Sequence, residues 1–147
     1  MLIPLLTGFI LIVICVLVQA FAYALWMKYT CRFLDHSKDL SPYHLLLVLT
    51  KSVLYLSILH AFQTLIWAIG YYLNPITCLK FKNFTESIYF SLVTFTTLGY
   101  GDITLNSEWR ILSGLEGING IMLIGCSTAM IFSLMEQIFL LHNKCKM

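Results

Sequence analysis

Three long apolar stretches, separated by short polar segments, form the main pattern of the chain. They cover residues 2–26, 41–73 and 108–142. Each is longer than the roughly 20 residues that an α-helix needs to cross a bilayer. The pattern therefore predicts an all-α membrane protein with three transmembrane helices.

The first stretch allows two interpretations. Small residues at Ala20, Ala22 and Ala24 have the spacing of a signal-peptide cleavage site. The stretch lacks a basic start, however, and is too long for the apolar region of a signal peptide. A retained helix over residues 1–27 is the favoured interpretation.

A shorter helix is predicted between the second and third stretches. Asn83, followed three residues later by Glu86, is typical of a helix N-cap with its capping-box partner, and an apolar segment follows over residues 84–96. This helix is too short to cross a bilayer. Irregular backbone is tolerated at membrane depth only where protein or water covers it, so a re-entrant segment that lines an aqueous path is expected.

The segment after this helix reads Thr97-Leu98-Gly99-Tyr100-Gly101. Successive carbonyls can point the same way only if alternate residues adopt conformations that a Cβ disfavours, and the two glycines alternate correctly. The carbonyls and the Thr97 hydroxyl then face the path, and the Leu98 and Tyr100 side chains face away into protein. Because rings of carbonyl dipoles replace the hydration shell of a cation, several copies around one axis would form a cation filter.

The motif Thr-Leu-Gly-Tyr-Gly-Asp over residues 97–102, between two membrane helices, resembles the selectivity filter of tetrameric potassium channels of the pore-loop superfamily. The resemblance covers roughly residues 45–141 and favours the small prokaryotic-type members, here with one extra N-terminal helix. It implies a homotetramer in a lipid bilayer with potassium ions in the filter. The implied K⁺ ligands are the carbonyls of Thr97, Leu98, Gly99 and Tyr100 and the Thr97 hydroxyl, with Gly101 at the outer end and Asp102 at the extracellular mouth.

The resemblance also predicts how the chain is divided. The extra helix covers residues 1–27, and a cytoplasmic linker covers residues 28–40. The pore domain covers residues 41–142, and a cytoplasmic tail covers residues 143–147. Within the pore domain the predicted parts are an outer helix (41–73), a turret (74–83), a pore helix (84–96), the filter (97–102) and an inner helix (108–142).

Several residues around the filter carry further expectations. Tyr100 favours K⁺ selectivity, because relatives that do not discriminate K⁺ from Na⁺ often have aspartate at this position. Val93 replaces a glutamate that clamps the filter aspartate in some relatives. The pair Tyr89-Phe90 falls where relatives have aromatic residues around the filter, so the Tyr89 hydroxyl could bond to Asp102. Simple packing of both aromatics is the alternative.

Two ionisable residues are predicted at membrane depth. Glu116 lies seven residues past Trp109, roughly 10 Å along the third helix, and is expected to support the filter from behind. Its expected donors are Thr94, Thr96 and Gln63, and a helix-packing contact without influence on the pore is the alternative. His60 lies near mid-membrane, where a neutral imidazole bonded to a neighbour is favoured over a pH sensor.

The third apolar stretch contains four glycines, Gly114, Gly117, Gly120 and Gly125. Small residues let membrane helices approach closely, and this packing role is the favoured interpretation. A hinge at Gly120 is the alternative, because the resemblance puts the usual hinge of the family one residue away. The positions that the family would turn toward the central cavity are Met122, Gly125, Ala129 and Ser133.

Composition and charge favour a membrane protein over a nucleic-acid-binding protein. Of the 147 residues, 59% are hydrophobic and 11% charged, and the net charge is +2, which fits a membrane protein and gives no sign of a nucleic acid partner. Lys28, Arg32 and Lys38, together with Lys144 and Lys146, favour a cell-membrane protein with its N-terminus outside and its C-terminus in the cytoplasm.

The sequence therefore predicts a potassium-selective ion channel that conducts passively. Nothing in it resembles a nucleophile–base arrangement, so no enzyme is expected. A non-conducting or regulatory subunit that keeps the pore fold and a weakly selective cation channel are the alternatives. The gating stimulus stays open.

Overall fold

In the computed structural model, which describes residues 2–36, 42–105 and 107–144, every regular element is helical. Three of the helices are long and apolar enough to cross a membrane, as predicted. The elements are α1 (Leu2–His36), α2 (Pro42–Leu73), α3 (Pro75–Cys78), α4 (Phe84–Phe95), a 3₁₀ turn (Ser107–Trp109) and α5 (Arg110–Lys144).

The first helix is longer than predicted. It continues through residues 28–36, which were assigned to the linker. These residues include no glycine or proline that would end a helix. Residues 37–40 of the predicted linker and residues 145–147 of the predicted tail lie outside the described residues.

The turret contains a helical turn that the sequence did not predict. Asn74 and Pro75 end α2, as expected, but they also begin α3. The Asn74 side chain accepts a hydrogen bond from the Ile76 amide at 3.0 Å, and Pro75 occupies the first helical position. Both are standard helix-start features, so one dipeptide ends one helix and starts the next.

One continuous stripe of α1 packs into the groove between α2 and α5. Small residues permit close approach: a Cβ on Gly8 would lie 2.5 Å from the Leu115 side chain, and one on Gly70 of α2 would lie 2.8 Å from Leu11. This stripe follows the period of a helix, although α1 is apolar almost all round. Its buried members are Pro4, Gly8, Leu11, Cys15, Gln19, Ala22 and Thr30.

The short helix α4 lies between α2 and α5 and is re-entrant by length, as predicted. The Asn83 side chain accepts from the Glu86 amide at 2.9 Å. The Glu86 carboxylate accepts from the Lys82 amide at 2.6 Å, one residue before the partner expected of a capping box. The buried face of α4 consists of Ser87, Phe90, Ser91 and Phe95. That face packs into the core and fixes the direction in which the next residues leave the helix.

Candidate functional site

The loop after α4 alternates in backbone conformation. Thr97, Gly99 and Gly101 have φ angles of 58°, 54° and 79°, all in the left-handed region that glycine adopts freely. The left-handed glycines confirm the expectation from their alternation. Thr97 shares this conformation although it is β-branched, and such residues rarely adopt it. The loop therefore holds a strained residue at its inner end.

Backbone amides anchor the loop to the end of α4. The amides of Leu98 and Gly99 both donate to the Val93 carbonyl, at 2.9 Å and 3.3 Å, and the Thr97 amide donates to the Thr94 carbonyl at 3.0 Å. Within the described residues no donor is bonded to the carbonyls of residues 97–100. The loop thus satisfies its innermost donors within the chain and keeps its acceptors free.

A single chain does not cover this loop. Residues 97–102 are all exposed, and the side chains of Leu98 and Tyr100 are 55% and 68% exposed. The expectation that these two side chains are buried in protein is not met by one chain alone. Irregular backbone at membrane depth is tolerated only where protein or water covers it, so the loop has a surface that this chain leaves open.

The two aromatic residues near the loop have different roles. The Tyr89 hydroxyl lies beside the Asp102 carboxylate, and its interaction with this carboxylate raises the pKa of Tyr89 above its usual value. The predicted contact at the outer end of the loop is therefore present. Phe90 is buried and packs edge-on against Tyr71 and beside Phe81, with ring centroids 5.2 Å and 5.5 Å away. Phe90 is a packing residue, as the alternative interpretation held.

Glu116 is buried behind the loop, where it joins three helices. Its carboxylate accepts from the Ser91 hydroxyl of α4 at 2.5 Å and from the Tyr71 hydroxyl of α2 at 2.7 Å. The Ser91 hydroxyl also lies 2.8 Å from the Thr64 carbonyl, a second acceptor for its proton. Ser91 precedes Val93, whose carbonyl anchors the loop, by only two residues. The Glu116 carboxylate thus fixes the C-terminal part of α4, to which the loop is hydrogen-bonded.

The expected donors to Glu116 were wrong. Thr96 donates to the Leu92 carbonyl at 2.7 Å, and Gln63 donates to Gln19 at 2.6 Å. Thr94 and Thr96 lie outside the buried face of α4, which points Ser91 at α5 instead. Neither Tyr71 nor Ser91 was singled out in the sequence. A signal for Ser91 existed in its spacing of four residues from Ser87 and Phe95, which places all three on one face of a helix.

The inner-helix glycines differ in their surroundings. A Cβ on Gly120 would lie 2.0 Å from the Phe95 carbonyl oxygen, and one on Gly117 would lie 3.6 Å from the Thr94 carbonyl oxygen. Gly114 and Gly125 have nothing within 4 Å. Gly120 therefore lets α5 press against the backbone at the end of α4, and this contact accounts for the glycine without a hinge.

The four predicted cavity positions do not share one environment. Met122, Gly125 and Ala129 lie on an exposed face of α5. Ser133 borders a groove between α1 and α5, together with Tyr23, Cys126 and Met130. The structure thus places Ser133 at the edge of the exposed face, toward α1.

These features define a class of membrane protein in which a re-entrant helix leads into a loop of free carbonyls at membrane depth. An ion channel family model matches residues 44–137, and the chain belongs to this ion channel family. The matched segment includes most of α2, all of α3 and α4, and most of α5. Neither the comparison with curated proteins nor the comparison with solved structures finds a match.

Replacing Glu116 tests its role as the link between α4, α2 and α5. Glu116→Ala leaves the Tyr71 hydroxyl buried without its acceptor, at a cost of about 1–3 kcal/mol, while Ser91 keeps the Thr64 carbonyl. We expect a lower unfolding temperature and reduced ion flux. Glu116→Gln retains one acceptor oxygen and should lose less of both. The measurements are thermal unfolding in detergent and flux from liposomes.

The matched control is Glu136→Ala, which removes an exposed carboxylate from the same helix. Wild-type thermal unfolding and ion flux in Glu116→Ala would show that this carboxylate does not support the loop.

A second prediction separates packing from hinge motion at Gly120. Gly120→Ala forces its Cβ against the Phe95 carbonyl, so α4 and α5 must separate, and we expect a clear loss of thermal stability. Gly114→Ala meets open space within the chain and should be neutral or stabilising by about 0.5–1 kcal/mol, the helix advantage of alanine over glycine. Unchanged thermal unfolding of Gly120→Ala would contradict the packing role and favour the hinge interpretation.

Proposed function

We propose that the protein is a potassium-selective ion channel whose filter is formed by residues 97–101 of four identical chains. The observation that carries the proposal is the alternating left-handed backbone at Thr97, Gly99 and Gly101, with free carbonyls, in a chain of the ion channel family. Backbone of this kind allows carbonyl oxygens to line one path. It serves no evident purpose in a simple turn between membrane helices.

In this proposal the carbonyl oxygens replace the water around a dehydrated ion. The carbonyls of Thr97, Leu98, Gly99 and Tyr100 each contribute one oxygen per chain to a layer, and the Thr97 hydroxyl adds the innermost layer. The ion is the transported species and K⁺ is its proposed identity. Gly101 lies at the outer end. Asp102, beside Tyr89, places negative charge at the extracellular mouth and attracts cations.

Four copies are proposed because one chain supplies only one oxygen to each layer. Closed point-group symmetry is the usual arrangement of homo-oligomers, and a four-fold axis through the loop would surround each ion with a ring. The exposure of Leu98 and Tyr100 supports this assembly, since neighbouring chains would cover both. The exposed apolar residues Ile118, Ile121 and Met122 on α5 provide further surface for subunits or lipid.

The proposed location is the cell membrane, with the N-terminus outside and the C-terminus in the cytoplasm. In this orientation Asp102 faces outward, and the C-terminal end of α4 points inward. The partial negative charge of a helix C-terminus favours a cation there. Tyr100 favours K⁺ selectivity over the weakly selective alternative, and the unblocked loop carbonyls favour conduction over a purely regulatory role.

The tetramer is tested by native mass spectrometry of the protein released from mild detergent. We expect four copies of the chain as the main species, because fewer copies leave each oxygen ring open. A Cβ at Gly114 would meet nothing within its own chain. Gly114→Ala is therefore the control preparation and should show the same number of copies as the wild type. A dimer or trimer as the only assembled species would rule out a four-fold filter.

Selectivity is tested by K⁺ and Na⁺ flux from liposomes that contain purified protein. We expect K⁺ flux in the wild type, relaxed discrimination in Tyr100→Asp, and loss of conduction in Gly99→Ala, because a Cβ penalises the left-handed backbone. Ser57→Ala is the control, since that hydroxyl is exposed and bonds to Val53 on its own helix. Unchanged K⁺ selectivity in both filter variants would exclude residues 97–101 as the selectivity determinant.

A further inference from the structure

A closed ring of hydrogen bonds joins α1, α2 and α5 inside the membrane-spanning region. Gln63 donates to Gln19 at 2.6 Å, and Gln19 donates to Ser127 at 3.0 Å. Ser127 and His60 Nε2 are 2.9 Å apart, and His60 Nδ1 lies 2.9 Å from the Gln63 side-chain oxygen. The ring therefore takes one residue from α1, two from α2 and one from α5.

The donors and acceptors of this ring are complementary. Because the Gln63 amide nitrogen faces Gln19, its oxygen accepts the Nδ1 proton of His60. With the proton on Nδ1, His60 Nε2 is one acceptor in reach of the Ser127 hydroxyl, and the Leu123 carbonyl at 3.0 Å is the other. Ser127 in turn accepts from Gln19 and from the Tyr23 hydroxyl at 2.9 Å. With Nδ1 of His60 as the donor to Gln63, every member of the ring can both donate and accept a bond.

The position of Ser127 along α5 gives the ring its significance. Toward the loop, α5 is fixed by the Glu116 bonds and by the contact of Gly120 with α4. Beyond Ser127, α5 meets α1 through apolar side chains such as Met130, and a groove of about 270 Å³ separates parts of the two helices. Ser127 is therefore the polar anchor at the boundary between the fixed part of α5 and the part that borders open space.

We propose that the ring couples α1 to gating, with Gln19 as a positioning residue that holds α5 through Ser127. The inference rests on the proposed channel function. Apolar side chains can slide past one another with little loss, whereas hydrogen bonds have strict geometry. Displacement of the C-terminal half of α5 therefore requires the ring to open, and α1 contributes to the energy difference between the gating states.

Loss of each ring bond should change the open-to-closed ratio by about threefold, and at most about twentyfold, the range found for interhelical hydrogen bonds in membranes. Each of the two single variants below breaks two ring bonds. Gln19→Met replaces the amide with an apolar side chain of similar volume, and Ser127→Ala removes the hydroxyl. Both should shift the open probability in the same direction. Unitary conductance and the K⁺ to Na⁺ preference should stay unchanged, because neither residue lies in the loop.

The double variant Gln19→Met with Ser127→Ala tests whether the two residues act through one ring. Its shift should be close to that of a single variant and clearly less than the product of both, as expected for coupled sites. Ser127→Thr keeps the hydroxyl and should retain the wild-type ratio. Ser57→Ala is the matched control, because its hydroxyl bonds only within α2 in the described structure. Independent effects in the double variant, or a wild-type ratio in both single variants, would overturn the proposal.

A readout that needs no conduction separates this proposal from the channel function. Cys126 borders the groove between α1 and α5 and is exposed, so its alkylation by N-ethylmaleimide, followed by mass spectrometry, reports access to the groove. We expect alkylation to accelerate by about threefold or more in Gln19→Met and Ser127→Ala, in proportion to the released bonds. The rate should stay unchanged in Ser57→Ala.

The two readouts fail in different ways. A wild-type protein that assembles but carries no ion flux would overturn the proposed function, and the Cys126 rates alone would then decide whether the ring holds α5. Conducting variants with wild-type Cys126 rates would overturn the ring proposal and leave the channel function intact. If Gln19→Met does not assemble, the comparison of Ser127→Ala with Ser127→Thr still tests whether the Ser127 hydroxyl holds α5.

Discussion

Polar groups at membrane depth need partners within the protein, and this constraint governs the whole structure. The loop at residues 97–101 places irregular backbone where lipid cannot satisfy it. Its inner amides bond to the Val93 and Thr94 carbonyls at the end of α4. Its carbonyls are left for a ligand or for water. The rest of the chain positions α4 so that this division between satisfied donors and free acceptors is maintained.

Support for α4 comes from both neighbouring long helices. Glu116 bonds to Ser91 on α4 and to Tyr71 on α2, while Gly120 lets α5 contact the Phe95 backbone. A buried carboxylate is costly unless it receives hydrogen bonds. The same residue that needs these donors therefore ties the three helices together directly behind the loop.

The first helix belongs to the same polar system, although the family match begins only at residue 44. Beyond the ring through Gln19, the Cys15 carbonyl accepts from Gln63, and the Ala22 carbonyl accepts from the Tyr55 hydroxyl at 2.9 Å. The indole of Trp26 donates to Ser52 at 3.2 Å. These bonds recur along one face of α1, so the helix is fixed in rotation and in depth against α2. It is an integral part of the fold.

Local features of the sequence determined the three long helices, the start of α4 at Asn83 and the left-handed glycines of the loop. Each depends on residues close in the chain: apolar length, a cap within one turn, or the missing Cβ of Gly99 and Gly101. Such signals act before helices meet. They were sufficient for the architecture and for the part of the candidate site that lies within the loop.

Only the tertiary structure decided which side chains meet across helices. Glu116 bonds to Ser91 and not to Thr94 or Thr96, and Gln19 closes a ring that its apolar surroundings did not suggest. The physical reason is rotational: successive residues of an α-helix point about 100° apart, so a change of one residue in phase replaces one partner with another. That phase depends on how three long helices pack, because α1, α2 and α5 are apolar on nearly every side and none has a polar face to orient it in advance.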